Sequence, residues 1–110
     1  MASFVVQKRG KKRYLAVLIT VNGDVILRGP TCVSLIACYQ SLDAIRANAN
    51  DFSKYELADS LEGKYFFELT GSDGTSIARS VIFETAADVY FGIEFVRRTI
   101  HSAILEEHPH

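Results

Sequence analysis

Cysteine is scarce in this sequence. Cys32 and Cys38 are the only two in 110 residues, too few for the disulfide framework of a small secreted domain, and they read as reduced thiols. Net charge is nearly absent too. Twelve Lys and Arg against thirteen Asp and Glu leave −1, which removes any global attraction to nucleic acid or an anionic membrane. Long apolar runs are missing. The longest, around Leu15 to Val21, falls far short of the ~20 residues that cross a bilayer. Met1-Ala2-Ser3-Phe4 lacks the basic stretch and apolar core of a secretory signal. No Walker or dinucleotide fingerprint occurs. The expectation is a cytoplasmic protein with no membrane partner, no cofactor and no evident small-molecule substrate.

What remains is enough to fold. Hydrophobic residues make up 48% and charged residues 23%, the composition of a globular chain with a core. The length fits one domain over residues 1–110. Charge is unevenly spread. Residues 1–51 carry seven Lys/Arg and three Asp/Glu, hence +4, and residues 52–110 carry five and ten, hence −5. These sum to −1.

Sliding the chain on itself by 51 residues without a gap aligns Tyr14 with Tyr65, Leu18 with Leu69, Gly23 with Gly74, Ile26 with Ile77, Arg28 with Arg79, Tyr39 with Tyr90 and Arg46 with Arg97. The kind of match says more than the count. Asn22-Gly23 falls on Asp73-Gly74, both type I′ hairpin signals between apolar runs. Ser34 falls on Thr85, both good helix N-caps. Two internal repeats follow, about 3–53 and 54–107, neither able to bury its apolar face alone.

Each repeat reads as three strands and a helix: Phe4–Lys8, Arg13–Thr20, Asp24–Arg28 and Ser34 to about Ala49, then Tyr55–Asp59, Lys64–Thr70, Thr75–Ser80 and Thr85 to about His101. A last short strand fits near Ala103–Glu106. Leu35, Cys38, Leu42, Ile45 and Ala49 form one helical stripe, and Ala86, Val89, Ile93, Val96 and Ile100 another. The predicted fold class is α+β: two tandem β-β-β-α(-β) repeats forming one antiparallel sheet, with both helices packed on one face.

These residues resemble the YegP-like family of uncharacterised small proteins. Its repeats run Y-x-F-x-L, a turn N-G, I-x-x-S, then a helix with G-I-x-x-V-K/R-x-N-A. Tyr14, Leu18, Asn22, Gly23, Ile26, Leu42, Ile45, Arg46, Asn48 and Ala49 match in the first half. Tyr65, Phe67, Leu69, Asp73, Gly74, Ile77, Ser80, Gly92, Ile93, Val96 and Arg97 match in the second. The resemblance implies two β3-α-β units in a single sheet, with C-terminal strands exchanged, and no established activity. Cys32 departs from the family aromatic, Thr99-Ile100 replaces Asn-Ala, and basic outward strand positions are changed.

No nucleophile–base–acid set stands out, so no catalytic residue is assigned and no enzyme is expected. Cys32 precedes a helix N-terminus that favours a thiolate, with His101 as its one plausible base, but filling the place taken by Phe83 in the second half explains it better. His108 and His110 flank Pro109, and two imidazoles make a poor metal site, so none is assigned. Two surfaces carry the functional expectation. If Tyr14, Ala16 and Leu18 face the helices, Leu15, Val17 and Ile19 face away, joined by Phe66. Phe91 and Phe95 fall on the outer side of the second helix. Exposed apolar patches mark contacts, so protein–protein association is expected, with a homo-oligomer or another protein. Arg46 and Arg97 are expected to border the core. The alternative is nucleic-acid binding through Lys8, Arg9, Lys11, Lys12 and Arg13 at a hairpin tip.

Overall fold

The computed structural model describes residues 2–108, with side chains as far as Leu105. Pro109, His110 and the side chain of His108 lie outside the described residues. Strands β1 (Ser3–Gly10), β2 (Arg13–Ile19) and β3 (Val25–Arg28) lead into helix α1 (Leu35–Asn48). Strands β4 (Tyr55–Asp59), β5 (Tyr65–Thr70) and β6 (Ser76–Ser80) lead into α2 (Ala86–Thr99), and β7 (Ile104–His108) follows. One seven-stranded sheet results, in the order β4-β5-β6-β3-β2-β1-β7.

The sheet is mixed, which corrects the expectation of a purely antiparallel one. Hairpins join β1–β2, β2–β3, β4–β5 and β5–β6, and tight turns force antiparallel neighbours. β7 arrives instead after α2 has carried the chain across the sheet, and it lies parallel to β1 from Ser3↔Ile104 to Gln7↔His108. At the centre β3 and β6 pair over Leu27↔Ser80 and Arg28↔Arg79.

The turns at Gly23 and Gly74 are not type I′. That turn needs positive φ at both central residues. Here only the glycines have it, at φ 87° and 83°. Gly23 N–H donates to Thr20 O at 2.9 Å and Thr20 N–H to Asp24 O at 2.9 Å. Gly74 N–H donates to Gly71 O at 3.1 Å, and Gly71 N–H to Thr75 O at 2.9 Å. Both are three-residue loops closed by a left-handed glycine, and each is followed by a bulge in the ladder, at Leu18/Ile19 and at Leu69/Thr70.

Both helices start where the hydroxyls indicate. Ser34 Oγ accepts from Ala37 N–H and Thr85 Oγ1 from Asp88 N–H, each at 3.1 Å, which satisfies one orphan donor per helix. Leu42 and Ile45 of α1 and its C-cap Ala49 share one core with Val89, Ile93, Val96 and Ile100, which lie on α2 and its C-cap, and with Phe4, Leu18, Leu27, Phe67, Leu69 and Ala78 of the sheet. The helices therefore cover the same face. Full burial of each large side chain contributes about 1.5–3 kcal/mol. Leu35, placed on the α1 stripe above, is exposed in the first turn. Cys38 is buried in a smaller cluster with Val6, Ala16, Tyr14, Cys32 and Tyr39.

Arg46 and Arg97 border the core. The Arg97 guanidinium pairs with Glu94 and lies 5.7 Å from the Phe52 ring centroid. Arg46 lies 5.3 Å from the Phe4 ring and donates to the Ala103 carbonyl at 3.0 Å. The long stems cover apolar surface while the charged ends find polar partners.

Candidate association surface

β4 is an edge strand, paired on one side with β5 and on the other with no described strand. Which groups face outward follows from β5. Tyr65 N–H donates to Phe83 O at 3.0 Å and Phe67 N–H to Ser80 Oγ at 2.9 Å. Odd residues of β5 thus turn toward β6, and Phe66 and Glu68 turn toward β4, where they meet Ala58 and Glu56. The remaining residues, Tyr55, Leu57 and Asp59, aim their N–H and C=O groups outward.

The opposite side of the sheet shows that geometry filled. Tyr14 and Cys32 exchange backbone hydrogen bonds of 2.8 and 2.6 Å, so even residues of β2 turn toward β3. Leu15 and Val17 then bond Gln7 and Val5, and Phe4 and Val6 turn outward to β7. Phe4 and Val6 stand 51 residues before Tyr55 and Leu57. Two sheet edges of one polarity are thus built, one taken by β7 and one open.

The open edge is held rigidly. Tyr55 Oη donates to Ala49 O at 2.6 Å, tying β4 to the end of α1, and burial pushes the Tyr55 phenol well above its ordinary pKa. Thr70 Oγ1 donates to Lys54 O at 3.0 Å. Asp51 caps the 3-10 turn Phe52–Lys54 by accepting from Ser53 N–H at 2.9 Å. The contacts of Arg97 with Glu94 and Phe52 place that flank of α2 above the edge. Tyr90 lies one turn before Glu94 on the same flank, with Phe91 beside it. Phe91 is 73% and Leu57 43% exposed, and Phe52 and Tyr90 are exposed as well.

Asp51 and Asp73 give this chain an acid-sensitive side. The Ser53 side chain and then its backbone hold the Asp51 carboxyl below its ordinary value, and the Thr75 backbone and then its side chain do so for Asp73. A depressed folded pKa stabilises above the unfolded value and is lost as pH falls. Asp51→Asn is expected to flatten the loss of stability between about pH 5 and pH 2. Unfolding midpoints followed across that range would show an unchanged slope if the cap contributed nothing.

The surfaces expected from sequence are partly redrawn. Leu15, Val17 and Ile19 do point away from the helices, as the alternation requires. They are not an exposed patch, because Leu15 is 7% and Val17 0% exposed, closed over by Val5 with Ile19 and Val25 against them. Phe66 does not join them. It is half-buried, with the Arg79 guanidinium 4.9 Å from its ring centroid. Phe91 and Phe95 do not share an outer face either. Phe95 packs on the main core, on the flank that Gly92 leaves low, about 60° beyond it at 100° per residue. Of the two, Phe91 alone is exposed.

Lys8, Arg9, Lys11, Lys12 and Arg13 are exposed at the β1–β2 tip, with Lys12 left-handed at φ 58°. No ion pair among the described residues includes any of them. Cys32 pairs with Tyr14 as Phe83 pairs with Tyr65, and its thiol donates to Pro30 O at 3.4 Å. Burial, with Cys32 alongside, pushes the Cys38 thiol up to about 11. No hydrogen bond joins His101 to Cys32. Among the described residues no group of three or more His, Cys, Asp or Glu is placed to hold a metal, and no helix is long and apolar enough to cross a membrane.

No family model matches the chain. A UPF0339 protein of Bordetella pertussis is 27% identical over 97 residues, covering 88% of this chain and 87% of that protein. The UPF0339 protein YegP of Escherichia coli K12 is 26% identical over 94 residues, covering 86% of each. Among solved structures, the NMR structure of E. coli YegP, a protein of unknown function, gives a TM-score of 0.88 at 23% identity over 97% of this chain and 92% of that one. A UPF0339 protein from Shewanella oneidensis gives 0.87 at 18% identity over 96% and 90%. In sequence and in fold, the chain is similar nearly throughout to YegP and other UPF0339 proteins, whose names assign no activity.

Proposed function

We propose that this chain is a non-catalytic association module of the cytoplasm, pairing with a second copy of itself along the β4 edge. The open row of backbone groups at Tyr55, Leu57 and Asp59 supports this reading, since an exposed edge is a template for strand addition. Antiparallel pairing about a two-fold axis at Leu57 sets Leu57 against Leu57, Tyr55 against Asp59 and Glu56 against Ala58 of the second copy. No carboxylate then stands directly opposite another, and one patch serves both subunits. The α2 flanks come together over the joint and cover Tyr90 and Phe91. Removing their apolar area from water contributes about 25 cal/mol per Å² before association costs. A tandem origin of residues 3–53 and 54–107 within one domain belongs to the same reading. The contact Arg28↔Arg79, which pairs two residues 51 apart in sequence, supports it.

Leu57→Pro separates the edge from the fold. Proline removes an N–H that faces outward and leaves the bonds of Glu56 and Ala58 to β5 in place. Sedimentation is expected to give twice the chain mass for the parent and one chain mass for Leu57→Pro, with Tyr90→Ser/Phe91→Ser weakening the dimer. A parent that stays at one chain mass at about millimolar concentration, where even a weak contact of Kd ~1 mM would register, defeats the proposal. A strand supplied by a different protein is the other occupant, and it would give that monomeric result with Leu57-dependent binding.

A second reading has its own observation. Five exposed cations at the β1–β2 tip, none of them in an ion pair among the described residues, suit a phosphate backbone. Binding to single- or double-stranded nucleic acid that falls steeply with salt, and disappears when Lys11, Lys12 and Arg13 become Gln, would support it. Salt-insensitive self-association would favour the first.

A further inference from the structure

The middle of the sheet carries a second feature, on the face opposite the helices. Leu27 and Ala78 are buried under the helices, so Arg28 and Arg79 next to them point the other way. They stand directly opposite each other on β3 and β6. Like charges in that position repel, with Cβ atoms about 4.5–5.5 Å apart. One carboxylate serves the two cations, because Glu68 lies 3.6 Å from Arg79 and, among the described residues, no carboxylate is within 4.0 Å of Arg28. Neither guanidinium has a hydrogen-bond acceptor among the described residues apart from that loose pair. Of the seven identities at an offset of 51 residues, this pair is the one whose members stand directly opposite each other in the sheet, Arg79 resting on the Phe66 ring.

Beside the pair the sheet opens. The pairing of β3 with β6 ends at Arg28, while Gly29 N–H still bonds Ala16 O of β2 at 2.9 Å and Pro30 has no N–H to give. A cleft of about 210 Å³ lies there, lined by Arg28, Gly29 and Pro30, by the Glu68 carboxylate of β5, and by Ser76, Ile77, Ala78 and Arg79 of β6. It brings two guanidinium groups together with apolar surface from Pro30 and Ile77, and Glu68 leaves the second positive charge unbalanced.

We propose that Arg28 and Arg79 together bind a small oxyanion, a phosphate or carboxylate group whose organic remainder lies against Pro30 and Ile77. Two guanidiniums hold one oxyanion with parallel charge-assisted bonds. The anion also cancels the repulsion that the empty pair carries, so binding and folding stability rise together.

The test uses the whole chain, with inorganic phosphate, acetate and chloride at matched ionic strength. Saturable NMR shifts of the Gly29 amide and the Arg28 and Arg79 Nε–H groups are expected with phosphate or with acetate, and whichever binds tighter names the head group. Arg28→Gln and Arg79→Gln are each expected to weaken binding at least tenfold. Without anion, Arg28→Gln is expected to unfold at an equal or higher temperature than the parent. Equal responses to all three salts, binding unchanged in either variant, or a clearly less stable Arg28→Gln would each overturn the proposal.

Discussion

Phe67→Ala is expected to lower the unfolding free energy by about 3–5 kcal/mol, the cost of removing a fully buried phenyl group and leaving its space unfilled. Phe67 lies on β5, completely buried. Its ring meets Tyr55 edge-on at 5.5 Å and stacks with Phe83 at 6.3 Å. It therefore joins β4, β5 and the segment entering α2. Domains of this kind have about 5–15 kcal/mol in total, so the change removes between about a fifth and all of it. Urea denaturation measures it, with Ile36→Ala on the exposed start of α1 as a control expected within about 0.5 kcal/mol of the parent. A loss under about 1 kcal/mol would mean that neighbouring side chains refill the space.

Gly92→Ala tests two opposed effects. In an exposed helix interior the change stabilises by about 1 kcal/mol. Here the new Cβ would lie 2.7 Å from Phe83 Cζ and 3.3 Å from Phe67 Cε2. Overpacking of this kind costs about 1–3 kcal/mol, and two rigid rings stacked on each other cannot both retreat. A net loss is expected, relieved when Phe83 is shortened to Leu in the same chain. The double variant should then be more stable than the sum of the single changes predicts. A gain in stability from Gly92→Ala alone would contradict the close packing of α2 on Phe83.

Much of the fold was legible because local signals agreed. Ser34 and Thr85 cap the helices, the apolar stripes from Cys38 and from Val89 onward face the sheet, and Gly23 and Gly74 close the hairpins. The failures have physical causes. Alternation located the face of Leu15 and Val17, yet exposure depends on neighbouring strands, and Val5 and Val25 are distant in sequence. A wheel projection put Phe95 outside, because it treats the buried sector as narrow and ignores the room Gly92 leaves. The β4 edge was invisible for a different reason. Tyr55–Asp59 reads as an ordinary strand, and only the placement of β7 on β1 shows which edge is covered and which is open. The Arg28 and Arg79 identity was on the page, but nothing local says that the two would meet.

The parallel pair of β1 and β7 has a consequence for the order in which this chain can fold. Ser3 and Ile104 are partners separated by nearly the whole sequence, and bringing such distant segments together costs loop-closure entropy that only a nearly formed sheet can repay. During synthesis β1 can form its hairpin with β2 early, but its outer groups at Phe4 and Val6 stay unpaired until β7 has left the ribosome. For that interval the growing chain has two open edges instead of one. Strand β7 is then the one that ends the susceptibility of the β1 edge to pairing with neighbouring nascent chains.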